Sequence, residues 1–261
     1  MAKFWNKRRK KSFKITVFYI GLILAGTLLI YGFRQIKHMV QDGTAKFQLK
    51  EIEVNGNYIE TRADILKRCG LESSPVRLLD IDPNELVRKL LHSPYIKNAA
   101  AVTSLPASLR ITIDERKPCA FIYGRGLNLI DTEGVLIPVP RRSISWNLPF
   151  ITGAEGPLGS LGQRTRSKKA QKAVQILDYL QYADSPIIQI ISEIDMSSSR
   201  NPKLRLVKGG VEVRLDADNY QENLFVLNQY FNHYLDWNKL AAIEYFDVRF
   251  KDQLIIKEKK S

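Results

Sequence analysis

Histidine is nearly absent from this 261-residue chain: His38, His92 and His233 are the full set. They fall beside an apolar run, at a predicted helix end and on an amphipathic segment. Imidazoles so dispersed exclude a zinc site or a His-based triad. Cysteine is equally sparse. Cys69 and Cys119 stand fifty residues apart, with neither the spacing nor the neighbours of a metal motif. An oxidising compartment would permit them to pair, and buried free thiols account for them equally well. There is no Gly-x-Ser-x-Gly elbow, phosphate-cradling glycine loop or His-Glu-x-x-His, and the glycines fall at predicted turns. Two acid pairs at i, i+2 spacing remain, Asp131 with Glu133 and Glu193 with Asp195. Asp131 reads as a turn residue before Gly134, and the second pair as the polar face of a strand carrying Ile190 and Ile194. No catalytic residue, metal, cofactor or small-molecule substrate is expected.

Acidic residues are also missing from the first fourteen positions, which hold Lys3, Lys7, Arg8, Arg9, Lys10, Lys11 and Lys14. These seven cations carry more than half of the net charge of +13. No second basic run of that density follows, so a nucleic-acid-binding body is not expected. Residues 1–14 read instead as a cytoplasmic membrane address. From Ile15 to Phe33 there is no charge at all. As a helix this stretch spans roughly 28 Å, close to the hydrocarbon thickness of a bilayer. Tyr19 and Tyr31 suit the two interfaces, and the dense positive flank keeps the N-terminus cytoplasmic, although Arg34, Lys37 and His38 follow the span. The run exceeds a signal-peptide core and no small-x-small cleavage site follows it, so an uncleaved anchor is expected. Residues 34–46 then form a linker.

With 44% apolar residues the exported remainder is long enough for one or two domains with their own cores. Ile52 and Val54 alternate with Glu51 and Glu53 as in a half-buried strand, and Asn55-Gly56-Asn57 supplies a turn. Thr61 and Asp64 form a capping-box pattern ahead of Ile65, Leu66 and Cys69. A second helix begins at Asp82 with Pro83 in its first position, burying Leu86, Val87, Leu90 and Leu91. Tyr95 to Thr103 is a strand, and Leu109, Ile111 and Ile113 alternate with polar residues in the clearest strand of the chain.

Farther on, short strands flank Gly124 and Gly134, and a helix is expected from Arg164 to Ala183. Leu204 to Leu215 reads as a hairpin turning at Lys208-Gly209-Gly210, and a second helix as Asn219 to Leu235. The closing strand pair is placed at Ala242 to Phe250 and Gln253 to Lys257. Phe246, Val248 and Phe250 should share one face there, with Asp247 and Arg249 as a surface ion pair worth under about 1 kcal/mol on the other.

The order strand, helix, helix, strand, strand is that of a POTRA domain. Phe47 through Gly56 matches an opening strand with a Val-x-Gly turn. Ser93-Pro94-Tyr95 matches an entry to the third strand, and Leu105, Pro106 and Leu109 a lead into the last. Glu115, Arg116 and Pro118 match a Glu-Arg-x-Pro signature. Leu129, Ile130, Asp131 and Gly134 follow as an Asp-x-x-Gly hairpin, and Leu148, Pro149, Ile151 and Gly153 as Leu-Pro-x-Ile-x-Gly. In this order, behind a basic tail and one anchor, these segments resemble the bacterial cell-division FtsQ (DivIB) family. One departure is that Leu215 is followed by Asp216 where the family carries Gly, and no Lys occurs from Asn219 to Leu235.

The resemblance implies an α+β chain: one N-terminal transmembrane helix, a POTRA domain over 47–117, a β-rich domain with two helices over 118–257, and a tail at 258–261. It further implies a non-enzymatic divisome scaffold in the bacterial plasma (inner) membrane at the septum. Expected partners are FtsB-like and FtsL-like proteins and, indirectly, the septal peptidoglycan synthase. Asp247 to Phe250 resemble the family's Asp-x-Arg-aromatic segment. A partner-binding strand edge is therefore expected at Phe246, Asp247, Val248, Arg249, Phe250, Gln253, Leu254 and Ile255, with Phe250 as anchor and Arg249 as selector. Two alternatives are a POTRA-type polypeptide-binding translocation or chaperone module and a membrane-tethered cell-wall hydrolase.

Overall fold

Strand alternation and helix caps take effect where the sequence places them in the computed structural model, which describes residues 26–35, 47–72, 76–154 and 156–260. Residues 26–35 are a helix, α1, on which Leu28, Leu29, Ile30, Tyr31 and Phe33 are each more than half exposed. The rest of the expected anchor, the basic tail and positions 36–46, His38 included, lie outside the described residues. Among the described residues no helix is long and apolar enough to cross a membrane.

The βααββ order is present as β1 (Glu51–Asn55), α2 (Arg62–Cys69), α3 (Pro83–Leu91), β2 (Ile96–Ser104) and β3 (Ser108–Glu115), in a sheet of order β1-β3-β2. β3 is central because its alternation is the cleanest: Leu109, Ile111 and Ile113 are buried. Thr61 caps α2 through the reciprocal box with Asp64, and Gly70 ends it in the left-handed region. On α3 only Leu86 and Leu90 are buried, and Leu91 lies nearly half exposed, so the buried stripe is narrower than expected.

By contacts the chain divides into two compact units. Of the described residues, one unit gathers those up to Glu53, those of 73–83 and Val102–Arg110; the other holds those of Val54–Glu72, Asn84–Ala101 and from Ile111 on. In the first, the Leu49 N–H donates to the Val76 carbonyl (2.9 Å), the Leu78 N–H to Phe47 (2.8 Å) and the Lys50 N–H to Ala107 (2.9 Å).

The second unit contains a nine-stranded sheet of order β12-β11-β10-β9-β8-β7-β4-β5-β6. Its strands are β4 (Pro118–Tyr123), β5 (Leu127–Asp131), β6 (Leu136–Pro138), β7 (Phe150–Thr152), β8 (Ile191–Asp195), β9 (Lys203–Leu206), β10 (Glu212–Arg214), β11 (Ile243–Asp247) and β12 (Ile255–Glu258). Helices α4 (Lys168–Tyr182) and α5 (Tyr220–His233) join its core. Registers align Ile122, Ile151, Ile194, Leu204, Val213 and Phe246 in one row across six strands, every one almost wholly buried. Each such side chain contributes about 1.5–3 kcal/mol relative to exposure. From the helices come Ile176, Leu177, Leu180, Leu224, Leu227 and Phe231.

Two boundaries differ from expectation. Helix α4 starts at Lys168, not Arg164, because Arg164 bridges to Val135 and Ser167 takes the cap. The last strands are β11 and β12 rather than 242–250 and 253–257, because Leu240–Ala242 forms a 3-10 turn and Asp252 adopts a left-handed φ of 56°. The departure at Asp216 is accommodated by side chains. Its carboxylate accepts from the Asp218 N–H (3.1 Å) and the Asn219 amide (2.8 Å), while its own N–H donates to Asn223 Oδ1 (3.0 Å).

Gly56 (φ 83°) and Gly153 (φ 64°) show why two of the motifs end in glycine. A Cβ would fall 2.0 Å from the Ile113 carbonyl oxygen in the first case and 2.2 Å from the Ser197 nitrogen in the second. Gly56→Ala and Gly153→Ala should each destabilise by about 2 kcal/mol or more. Gly210→Ala, at a φ of 63° with nothing within 4 Å, should cost about half as much. Thermal unfolding of the three variants tests this, and equal losses would assign the effect to φ alone rather than to close approach.

Candidate functional site

A sheet ends in two strands whose outer N–H and C=O groups need partners. At β6 that need is met. The Leu136 N–H donates to the Gln163 carbonyl (3.0 Å), the Gly162 N–H to Leu136 (2.7 Å) and the Thr165 N–H to Gly134 (2.7 Å). At β12 it is not: all four residues are exposed, and among the described residues only β11 pairs with the strand.

The buried row continues from Phe246 to Ile256, which is 37% exposed. On the opposite face a second row runs Ile137, Leu129, Phe121, Phe150, Glu193, Arg205, Glu212, Tyr245 and ends at Lys257. The Lys257 ammonium sits 2.9 Å from the Glu244 carboxylate and 5.5 Å from the centre of the Tyr245 ring. The edge therefore presents an unfinished apolar row on one face and a cation on the other.

The eight expected edge residues separate into two groups. Phe246 and Val248 are core, with the Phe246 ring 5.2 Å from Phe231 and 5.8 Å from Tyr230, and Asp247 is buried too. These three position the edge and offer a partner no surface. Arg249 is half-buried, Phe250 is 49% exposed, Gln253 is exposed, and Leu254 packs partly on the core ahead of β12. Phe250 does not share the face of Phe246 and Val248, because β11 stops at Asp247 and a turn follows, with the Gln253 N–H donating to Phe250 (3.3 Å). Within β12, only Ile255 (43% exposed) belongs to the expected set. Ile256 and Lys257 share that strand but not the expected set; adjacent isoleucines in an edge strand place one apolar side chain on each face.

Nor is Asp247–Arg249 an open surface pair. Arg249 Nη2 and Nε donate to the buried carboxylate at 2.6 and 2.9 Å, and its backbone N–H adds a third bond at 3.2 Å. Burial acts to raise this carboxyl, but the bonds and charge of Arg249, with Arg214 behind them, hold it below its ordinary value.

The Glu-Arg-x-Pro signature is a junction. The Glu115 carboxylate accepts from the backbone N–H groups of Tyr58 (2.8 Å), Ile59 (2.5 Å) and Glu60 (2.9 Å). Next to it, Arg116 Nη1 donates to Asp131 (2.7 Å) and Glu133 (2.9 Å), and Asp131 Oδ1 accepts from the N–H groups of Glu133 and Val135. The second acid pair is similarly engaged: Glu193 accepts from Thr152 Oγ1 (2.6 Å) and Asp195 from the Ser197 N–H (2.8 Å). His92 Nδ1 lies 2.6 Å from the Arg88 carbonyl, and His233 ends α5. No cluster among the described residues could hold a metal ion. Cys69 and Cys119 are free thiols, and burial pushes Cys119 up to about 12.

A βααββ module followed by a large sheet with one end open among the described residues makes this a POTRA-containing β-domain protein. A family model described as "POTRA domain, FtsQ-type" matches residues 47–116, and one described as "Cell division protein FtsQ/DivIB, C-terminal" matches residues 120–249. A cell division protein FtsQ of Koribacter versatilis is 26% identical over 246 residues, covering 91% of this chain and 69% of the relative. One from a Geobacter species is 25% identical over 221 residues (82% and 77%), and a cell division protein DivIB of Clostridium acetobutylicum 25% over 208 residues (78% and 80%). The chain belongs to the FtsQ/DivIB family of cell-division proteins.

Because the folded Asp247 carboxyl lies below its ordinary value of 3.8, its contribution to stability is complete above pH 4 or so and is lost as pH falls through the folded value. Asp247→Asn should lower thermal stability at pH 7 and flatten the acid limb below about pH 4. An unchanged acid limb in a pH-resolved melting series would refute the assignment.

Proposed function

We propose that the chain is a non-catalytic scaffold of the bacterial division machinery. Residues 15–33 anchor it in the plasma membrane, residues 1–14 stay in the cytoplasm, and the POTRA domain (47–117) and β-domain (118–257) lie outside, at the septum. Exposed apolar side chains along α1 support the anchor. Through its C-terminal edge the β-domain docks FtsB-like and FtsL-like proteins, and so helps recruit and regulate the septal peptidoglycan synthase.

The observation that carries this reading is the contrast between the two sheet ends, β6 covered and β12 open. A docking strand satisfies the free backbone groups of β12 whatever its sequence, and its alternate side chains decide which segment binds. The partner strand should place an apolar residue beside Ile256, extending the buried row, and an acid toward Lys257.

Titration of the purified full chain with the ectodomain of the host's FtsB-like protein tests this. Ile256→Asp should weaken binding at least about tenfold, the effect of losing roughly 1.4 kcal/mol at an interface centre. Phe250→Asp tests the aromatic anchor beside it. Equal binding by the parent and Ile256→Asp would remove β12 as the docking edge. No binding by the parent, with capture of unfolded polypeptide instead, would favour the translocation or chaperone reading.

A further inference from the structure

In the first compact unit, the segment that enters after the expected anchor is held between two turns. The Leu49 N–H bonds Val76 and the Leu78 N–H bonds Phe47, while the Lys50 and Glu51 N–H groups both donate to the Ala107 carbonyl (2.9 and 3.3 Å). One turn is the 3-10 segment Leu78–Asp80, and the other links β2 to β3. Each displays a large apolar side chain. Leu79 is 67% exposed although its neighbour Leu78 is buried, Leu105 is 70% exposed, and Val102 on the strand leading to it is 56% exposed.

A single exposed leucine needs no explanation. These two stand on turns that polar bonds already hold. Arg77 Nε and Nη2 donate to the Asp80 carboxylate (2.8 and 3.2 Å), and the Asp80 and Ile81 N–H groups donate to the carbonyls of Arg77 and Leu78. Across the second turn the Ser108 hydroxyl donates to the Ser104 carbonyl (3.2 Å). Lys50 and Ser104, on the entering segment and the second turn, are exposed as well. Apolar tips set among cationic and hydroxyl groups suit the boundary between headgroups and acyl chains of a bilayer.

Chain length selects the bilayer as occupant. Eleven residues, 36–46, separate α1 from Phe47. Fully extended, they reach no farther than about 40 Å. Both turns flank the point where this short connection enters the unit.

We propose that the turns at Leu79 and Leu105 rest on the outer surface of the membrane, with both leucines inserted at the headgroup boundary and Lys50 beside lipid phosphates. The contact fixes the height of this unit above the bilayer. It rests on the anchor proposed above, and it involves neither β12 nor the partner that docks there.

The full chain in nanodiscs of phosphatidylethanolamine and phosphatidylglycerol tests the proposal. An environment-sensitive fluorophore is placed on Leu79→Cys or Leu105→Cys, the phospholipids carry a nitroxide quencher near the headgroup end of the acyl chain, and dye-treated parent is the blank. Leu29→Cys on α1 reports the anchor, and Val207→Cys, 67% exposed in the second unit, reports chance encounters. Quenching is expected at Leu29→Cys, Leu79→Cys and Leu105→Cys and not at Val207→Cys, and adding Leu79→Asp should reduce it at Leu105→Cys. Quenching at Leu29→Cys with none at the two turns would overturn this inference and leave the anchor standing, whereas none at Leu29→Cys would overturn both. Equal quenching at Val207→Cys, or quenching at Leu105→Cys that ignores Leu79→Asp, would assign the proximity to tethering alone and also overturn it.

Discussion

The β-domain depends on one constraint, the register that aligns Ile122, Ile151, Ile194, Leu204, Val213 and Phe246 across six adjacent strands. Because side chains alternate along a strand, a slip of one residue in any pair would move that strand's apolar residues to the charged face. The opposite row holds Glu193, Arg205 and Glu212, so such a slip would bury charge against α4 and α5. The parallel pairings are thus locked by burial rather than by short hairpins: β7 with β8 and β10 with β11 are joined through helices.

The sequence motifs acquire physical reasons within this frame. Glu115 satisfies three backbone donors, Arg116 is held by Asp131 and Glu133, and Asp131 in turn closes its own turn. The Asp-x-x-Gly hairpin is therefore both a turn and the acceptor for the preceding signature. Val-x-Gly and Leu-Pro-x-Ile-x-Gly end in glycine because backbone from β3 and from the segment after β8 approaches too closely for a side chain.

An open strand edge is normally a hazard, and this chain limits it. β12 is four residues long and carries Lys257 and Glu258, which discourages indiscriminate pairing. What it exposes is small: the apolar Ile255 and Ile256, the latter at the end of the buried row, and Lys257 at the end of the polar one. Asp247 and Arg249 act one strand inward, fixing the turn that sets where β12 begins.

Element order, the capping box at Thr61, the core strand Leu109–Ile113 and the family were all legible in the sequence, because periodicity, caps and turn residues act over a few positions. The family resemblance also drew attention to the last strands. It could not tell which residues there are core and which are edge. Phe246, Asp247 and Val248 became supports, Phe250 turned outward and Ile256 emerged, because strand ends and exposure depend on what lies alongside: α5 beneath, β10 on one side and nothing described on the other. Local pattern determined the elements of this protein, and tertiary packing alone decided which sheet end stayed open, because an edge is defined only by the absence of a neighbour in space.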